Sequence, residues 1–388
     1  MAPSPHVASR MADIAPFHVM DLLARAREME SAGRRVVHME IGEPDFDTPD
    51  PIIRAGIRAL EQSLTHYTPA VGLSALREAI SRFYQRRYGV DVDPARVIVT
   101  PGASGALQLV MGVLVDPGDE VLMADPGYPC NRHFVRQYEG RARSVPVDRS
   151  TAYQLTTEHL REHWKPHCVA AMVATPSNPT GTLIPPAELR EMARFSSDRG
   201  AVLIVDEIYH GLTYGEPPAT AATLGDNVFV VNSFSKYFGM TGWRLGWIVA
   251  PDAWVREIDK LAQNIFLAAP TVSQHGALAA FEPATLDILD GRREVFRERR
   301  DTLLPALEQI GFDIPVKPQG AFYLYAGCGA FTDDSYEFSH RLLEEAGVAI
   351  TPGIDFGGYR AASHVRFAYT TSSENLEEGV MRLGHYLS

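Results

Sequence analysis

The chain has 388 residues, of which 45% are hydrophobic, and a formal net charge of −12 at pH 7. This length is enough for one large and one smaller domain, each with a sizeable core. The acidic balance argues against nucleic acid or an anionic membrane surface as a partner.

The cysteines and the N-terminus indicate where the protein works. Cys130, Cys168 and Cys328 are far apart and odd in number, so they suggest neither a disulfide framework nor a metal site and favour a reducing compartment. No apolar run approaches the roughly 18 residues of a membrane span. Residues 1–6 lack the features of a signal peptide. We therefore expect a cytoplasmic protein. His210 has no second histidine or cysteine at ligand spacing, so we expect no metal.

Strand and helix patterns alternate from about residue 50 to residue 250, which predicts an α/β fold with a mostly parallel sheet sandwiched by helices. The predicted strands cover residues 97–100, 120–124, 169–175, 201–206, 228–232 and 245–249. Predicted helices cover residues 186–197, 254–264 and 271–280.

A long charged stretch at residues 286–310 leads from this region to a smaller C-terminal α+β domain. Acidic residues are interspersed among its arginines, which predicts the solvated side of a helix. The arginines concerned are Arg292, Arg293, Arg297, Arg299 and Arg300.

Small residues follow the first predicted strand. The segment 100–107 contains Gly102, Ala103 and Ser104 at a strand-to-helix junction. Backbone N–H groups at such a junction are free to bind an anion at the helix N-terminus. On its own, a glycine-rich turn of this kind is also an ordinary structural feature.

A rigid loop is predicted after the strand at residues 169–175. Pro176, Pro179 and Gly181 restrict the backbone there, so Asn178 gains a fixed direction. As an isolated motif, this loop would be an ordinary turn.

Asp206 follows the apolar run at residues 201–205, which is typical of a strand buried on both faces. Ligands of parallel sheets collect at the carboxyl ends of strands. A buried carboxylate at that place needs a cationic partner, and a protonated pyridine nitrogen is suitable. Tyr209 could donate to an oxygen on the same ring. The alternative is that Asp206 only caps the next helix.

Lys236 lies just beyond the apolar run at residues 228–231 and is flanked by Ser233, Ser235 and Arg244. A free lysine has a pKa of roughly 10.4 and is a poor nucleophile at neutral pH unless burial or nearby cations lower that value. The hydroxyls and Arg244 could share a phosphate. This setting favours imine chemistry at Lys236 over the alternative of a solvated surface lysine.

Together and in this order, the four segments resemble the class I/II aminotransferases, which are fold-type-I enzymes dependent on pyridoxal 5'-phosphate. The resemblance covers nearly the whole chain. Further matching segments are residues 41–46, 66–69 with Gly72, 125–129, 318–323, 351–353 and 365–367. The resemblance implies a large cofactor-binding domain at residues 50–285 and a small domain formed by residues 1–49 and 286–388.

The resemblance also implies roles for individual residues. Lys236 looks like the internal-aldimine lysine, and Asp206 looks like the partner of the pyridine nitrogen. By the same resemblance, Tyr209 and Asn178 would donate to the ring oxygen, and Tyr128 would stack on the ring. The phosphate would be held by Ala103, Ser104, Ser233, Ser235, Arg244 and Tyr67. Of these, Tyr67 would reach over from a second subunit.

Arg366 resembles the group that binds the substrate α-carboxylate, helped by the backbone of Gly42. Its planar fork can bind a carboxylate through two parallel hydrogen bonds. The alternative for Arg366 is a surface ion pair. We therefore expect a homodimeric aminotransferase that acts on small amino acids and 2-oxo acids, with Lys236, Asp206 and Tyr209 as catalytic residues.

The expected donors are neutral amino acids, such as alanine, branched-chain or aromatic ones, with 2-oxoglutarate as acceptor. The predicted entrance at residues 14–20 is largely apolar, and no second arginine can be placed for a dicarboxylate. Aspartate is the alternative donor.

A β-lyase or decarboxylase of the same fold would use the same cofactor residues, and a lyase would release ammonia and pyruvate from a cysteine conjugate without an acceptor. A non-catalytic effector-binding module would carry an N-terminal winged-helix segment, which we do not expect because Gly42 is reached within 42 residues.

Overall fold

The predicted strands of the central region come together in one seven-stranded sheet. The computed structural model describes residues 6–215 and 217–388. The inner strands Val202–Asp206 and Val228–Ser233 are buried at every residue. Helices cover both faces of such strands, so an apolar run without polar alternation is the pattern they require.

The strands in chain order are β1 (Val37–His38), β2 (Val97–Thr100), β3 (Glu120–Asp125), β4 (Arg141–Pro146), β5 (Cys168–Ala174), β6 (Val202–Asp206), β7 (Val228–Ser233), β8 (Gly246–Val249), β9 (Tyr323–Gly327), β10 (Val348–Ala349), β11 (Thr351–Pro352) and β12 (His364–Ala368). The six strands predicted between residues 97 and 249 are confirmed to within two residues at each end.

The α-helices in chain order are α1 (His18–Ser31), α2 (Asp50–Glu61), α3 (Ser74–Tyr88), α4 (Gly102–Leu114), α5 (Pro129–Gln137), α6 (Thr157–His163), α7 (Pro186–Ser197), α8 (Asp252–Ile265), α9 (Thr271–Leu278), α10 (Pro283–Ile310), α11 (Ser335–Arg341) and α12 (Ser373–Leu387). None of the described helices is both long and apolar enough to cross a membrane.

The large sheet has the strand order β2-β8-β7-β6-β5-β3-β4. Strands β3 to β7 pair in parallel, whereas β8 is antiparallel to both β2 and β7. The connection from β7 to β8 contains no helix, so it cannot provide the crossover that a parallel return needs. This connection carries Lys236 and Arg244 along the carboxyl edge of the sheet.

Side chains of the sheet alternate between two hydrophobic cores. Val97 and Val99 of β2 belong to one core, and Ile98 between them belongs to the other. The second core also contains Leu109 of α4 and Ile258 of α8. Packing on both faces confirms the mostly parallel sheet sandwiched by helices.

A three-stranded antiparallel sheet with the order β11-β12-β9 lies in the C-terminal part of the chain. Strand β1 pairs in parallel with β10, where Val37 lies opposite Val348. This pairing supports the predicted small domain of residues 1–49 and 286–388, although the domain boundaries remain a prediction.

The prediction of a solvated arginine face on α10 is wrong for two of its members. Arg299 is 6% exposed and donates to both carboxylate oxygens of Asp45, at 2.7 and 2.8 Å. Arg300 is equally buried and donates to the carbonyl of Pro318 at 2.7 Å. The charge pattern of a helix does not reveal that distant segments supply acceptors, a carboxylate and a carbonyl, to two of its arginines.

Candidate active site

A cavity of about 390 Å³ lies at the carboxyl edge of the large sheet. It is lined by every predicted site residue except one. These lining residues are Gly42, Ala103, Ser104, Tyr128, Asn178, Asp206, Tyr209, Ser233, Ser235, Lys236, Arg244 and Arg366. The exception is Tyr67, which is 83% exposed.

Lys236 is half-buried, and its Nζ donates to the carbonyl of Gly42 at 2.5 Å. Burial, together with the neighbouring charges of Arg366 and Arg244, lowers the pKa of the Lys236 amine to about 8 against the opposing effects of Glu43 and Asp206. A larger fraction of the amine is therefore neutral near physiological pH than in an exposed lysine. The alternative of a solvated surface lysine is wrong.

Asp206 ends β6 and is 6% exposed. Burial raises the pKa of its carboxyl to about 6, while a hydrogen bond of 2.9 Å from the Ile208 N–H to Oδ1 and the charge of Lys236 oppose that shift. Residues 208–211 form turns, so Asp206 does not cap a following helix as the alternative required. A carboxylate so placed is stabilised by a cation at the cavity wall.

The start of α4 faces the guanidinium of Arg244. A Cβ at Gly102 would lie 2.5 Å from Nη2 of Arg244, so a side chain there would displace the guanidinium, and the φ of +71° also favours glycine. Arg244 is oriented by a 3.0 Å hydrogen bond from Nη1 to the carbonyl of Thr241. The first backbone amides of α4, including those of Ala103 and Ser104, therefore lie beside a fixed cation. Such an arrangement binds phosphate.

Two buried hydroxyls complete this cradle. Ser233 Oγ accepts the backbone N–H of Ser235 at 3.0 Å and lies 3.0 Å from Ser235 Oγ. When Ser233 donates across that distance, the hydroxyl proton of Ser235 remains free for an anion. Ser235, held by Ser233 at the end of β7, thus provides a hydroxyl donor to the cradle.

Tyr209 and Tyr323 join their hydroxyls at 2.8 Å, with either group as donor. Burial raises the pKa of Tyr209 well above its ordinary value, so it stays a protonated donor. Tyr323 also contacts the Gly42 backbone so closely that a Cβ there would lie 2.0 Å from its hydroxyl. Tyr323 was not predicted as a site residue, although the segment 318–323 was one of the matching motifs.

Arg366 is buried, with 5% of its surface exposed. Its partners are neutral, since Nη1 donates to Asn178 Oδ1 at 2.9 Å and Nη2 donates to the Glu40 carbonyl at 2.6 Å and to Thr351 Oγ1 at 3.1 Å. Its guanidinium lies 4.2 Å from the ring centre of Tyr323. No carboxylate among the described residues forms an ion pair with it, so the surface ion pair alternative is wrong. A buried cation of this kind is stabilised by an anionic ligand.

The predicted apolar entrance contributes three residues to the cavity wall. Phe17, Val19 and Met20 line it, and the ring of Phe17 lies 6.4 Å from that of Tyr128. Ile14 does not line it.

Comparisons with known proteins agree with this site. The family model for aminotransferase class I and II matches residues 34–383. The valine–pyruvate aminotransferase of Mycobacterium tuberculosis is 40% identical over 97% of both chains. A probable aspartate/prephenate aminotransferase of Aquifex aeolicus is 35% identical, again over 97% of both chains. The crystal structure of an aminotransferase from Mycobacterium tuberculosis superposes with a TM-score of 0.95 at 40% identity, covering 99% of both chains.

The chain therefore belongs to the class I and II aminotransferases, the family that the sequence motifs predict. It is an aminotransferase dependent on pyridoxal 5'-phosphate and has that family's type I fold. This result favours catalysis of amino-group transfer over the lyase and the effector-binding module.

The residues present fit this cofactor. The cradle at the start of α4 matches a phosphate, and the buried Asp206 carboxylate matches a pyridinium nitrogen. Lys236 brings an amine of lowered pKa to the same cavity. When bound, pyridoxal 5'-phosphate supplies an aldehyde that condenses with amines and a ring that accepts electrons.

Proposed function

We propose that the enzyme moves the α-amino group of a neutral amino acid to a 2-oxo acid, with Lys236 as the residue that joins the cofactor. The buried Arg366 carries this proposal, because it lacks a carboxylate partner and lines the same cavity as Lys236. An α-carboxylate bound to its fork would hold the substrate's α-carbon within the site.

Lys236 is suited to move the proton of this reaction. Once released from the cofactor, its amine would take the proton from the substrate α-carbon and deliver it to the C4' carbon of the cofactor. A general base works best when its pKa is near the working pH, and the Lys236 pKa of about 8 meets that condition.

The other residues hold the reacting groups in place. Asp206 would keep the pyridine nitrogen protonated, and Tyr209 with Asn178 would donate to the ring oxygen. Tyr128 would stack on the ring. These roles are consistent with the common cavity that the residues line.

The donor preference follows from the wall of the cavity. Phe17, Val19, Met20 and Ile41 give this wall apolar side chains. Arg244 and Arg366 are the arginines among the described lining residues, and neither is left over for a second carboxylate. Burying an unpaired carboxylate there would cost several kcal/mol, whereas one methylene changes binding by about 1 to 3 kcal/mol. We infer broad use of alanine, branched-chain and aromatic amino acids.

Aspartate is the second candidate donor, because a relative at 35% identity is named for aspartate and prephenate. For the acceptor, too, the candidates differ in whether they carry a second carboxylate. The sequence leads us to expect 2-oxoglutarate, but its second carboxylate meets the same apolar wall as an aspartate side chain. Pyruvate has no such group, and a relative at 40% identity is named for valine and pyruvate.

A panel of donors and acceptors tests the proposal. Valine, leucine, phenylalanine, alanine and aspartate would each be paired with pyruvate and with 2-oxoglutarate, and ranked by kcat/KM. We expect neutral donors to lead. A lead of about a hundredfold for aspartate over every neutral donor, near the limit of one pocket contact, would contradict the apolar assignment.

We further propose a homodimer in which Tyr67 completes the phosphate cradle of the neighbouring subunit. Its 83% exposure and its absence from the cavity of its own chain support this role. Two-fold dimers are also the commonest closed assemblies.

A further inference from the structure

Asp355 connects the two ends of the chain beside the active site. Its carboxylate accepts the backbone N–H of His18 at 2.9 Å through Oδ1 and that of Val19 at 3.0 Å through Oδ2. The carboxylate comes from a residue more than 330 positions away and is 3% exposed. Both oxygens are therefore committed to the first turn of α1.

Helix α1 has no side-chain cap of its own. Phe17 occupies the N-cap position and offers no side-chain acceptor to the free amides of the first turn. Asp355 supplies that acceptor from outside the helix, and its negative charge also favours the positive end of the helix dipole.

The capped turn forms the wall of the substrate cavity. Phe17, Val19 and Met20 line the cavity and all belong to the N-cap and first turn of α1, so the position of this part of the wall depends on where α1 begins. Asp355 also lines the cavity, at the end of a short turn that follows β11. Thr351 of β11 lies opposite Arg366 in the sheet.

The remainder of α1 is held in a different way. Leu22, Ala26 and Met29 pack in a small apolar cluster with Leu343 and Ala349. This cluster lies along the later turns of the helix and does not include Phe17, Val19 or Met20. Among the described contacts, the Asp355 carboxylate is the polar anchor of the first turn.

Asp355 is itself held from the opposite side. Arg132 of α5 donates from Nη2 to the carbonyl of Asp355 at 3.0 Å. Hydrogen bonds therefore connect α5 to the carbonyl of Asp355 and connect the carboxylate of Asp355 to the first turn of α1.

We propose that Asp355 is a positioning residue that fixes the N-terminal wall of the substrate pocket and thereby sets the preference among donor side chains. This inference rests on the proposed use of neutral donors. The proposal requires that a long donor side chain contacts the wall formed by Phe17, Val19 and Met20 and that the methyl group of alanine does not.

The test compares donors of different length in Asp355→Asn. Asparagine keeps the shape but places an NH₂ group against a backbone N–H, so one of the two hydrogen bonds is lost. We expect kcat/KM for leucine to fall about tenfold, mainly through KM, and kcat/KM for alanine to change less than about twofold. The control is Glu344→Gln, which weakens the exposed ion pair with Arg25 on the same helix and should leave both values unchanged.

Hydrogen exchange of the holoenzyme gives a second readout. Asp355→Asn should speed exchange of the His18 or the Val19 amide, whichever faces the new NH₂ group, while the amides of β6 stay protected. A ratio of kcat/KM for leucine to kcat/KM for alanine that stays within about twofold of the wild-type ratio would overturn the proposal, as would an equal loss for both donors. If the wild type used no neutral donor, the proposed function would fail, and unchanged exchange at both His18 and Val19 would separately refute the anchoring role.

Discussion

Arg366 and Asn178 are joined by a hydrogen bond of 2.9 Å from Nη1 to Oδ1, across 188 positions of sequence. The bond commits the amide oxygen of Asn178 to the arginine and leaves its NH₂ group as a donor. The residue proposed to bind the substrate carboxylate therefore also orients the residue proposed to bind the cofactor ring. If both residues have the proposed roles, substrate binding and ring polarisation share this one contact.

Borohydride reduction should fix the cofactor on Lys236. The chain has four lysines, Lys165, Lys236, Lys260 and Lys317, so peptide mapping can separate them cleanly. Lys236→Ala should abolish turnover and leave the cofactor bound without a covalent link, because the cradle is unchanged. Lys260→Ala, which alters an exposed lysine, serves as the control. An adduct on any lysine other than Lys236 would refute the assignment.

The rate of covalent cofactor loading should increase through a pH of about 8. The buried Lys236 amine has a pKa of about 8, so only its neutral fraction, roughly a tenth at pH 7, can attack an aldehyde. The lowered pKa also means that the unfolded chain binds more protons between pH 8 and roughly 10.4, so the destabilisation that this group imposes on the folded apoenzyme below pH 8 is relieved as pH rises across that window. Stopped-flow loading measures the rate, and noncovalent binding to Lys236→Ala should show no step near pH 8.

Arg366→Lys should weaken substrate binding without loss of the cofactor. Lysine keeps the charge but loses the planar fork, so kcat/KM should fall about tenfold to a hundredfold, and Arg366→Gln should lose more. The measurements are KM for the amino acid and inhibition by simple carboxylates. Unchanged visible absorbance would show that the cofactor site is intact. Normal KM in Arg366→Gln would exclude the carboxylate role.

Mixing Tyr67→Phe subunits with Lys236→Ala subunits should produce hybrid dimers with one fully native site. In such a hybrid, the Tyr67→Phe subunit keeps Lys236, and the Lys236→Ala subunit supplies Tyr67 to that same site. Activity should therefore exceed that of either parent after subunit exchange. If Tyr67 served the site of its own chain, mixing would give no gain, and light scattering that found an active monomer would remove the shared site altogether.

Arg299→Ala should lower the free energy of unfolding by about 2 kcal/mol, because it removes the packing of a buried side chain and its two hydrogen bonds to the partly exposed Asp45 carboxylate. The matched control is Arg297→Ala on the same helix, where the side chain is 43% exposed and pairs with Glu294. That change should cost less than about 1 kcal/mol. Urea denaturation of each variant holoenzyme, measured under the same conditions, gives the two changes in the free energy of unfolding. Equal changes would contradict a larger contribution from the buried Arg299.

The central sheet and most of the cavity could be predicted, since buried parallel strands leave continuous apolar runs. Asp206 and Lys236 each follow such a run, and the ends of parallel strands meet at one edge. Strand β4 was not predicted, because it lies at the edge of the sheet and most of its residues are only partly buried or exposed.

Contacts between distant segments could not be predicted. Arg299 pairs with Asp45, and the first amides of α1 donate to Asp355. Neither pairing leaves a local pattern in the sequence. Tyr323 stood within a matching motif, but its contact with Tyr209 depends on how β9 meets the large sheet. The cytoplasmic location likewise remains a prediction.

The order of strands in the large sheet has a consequence for biosynthesis. β2 pairs with β8, so Gly102 at the start of α4 meets Arg244 only after about 140 more residues have been made. Such long-range closure slows folding. Arg366, still later in the chain, completes the cavity. A cofactor that binds only the closed cavity stabilises the finished fold by an amount that grows with the logarithm of its concentration, so the supply of pyridoxal 5'-phosphate would influence how much of the newly made chain survives.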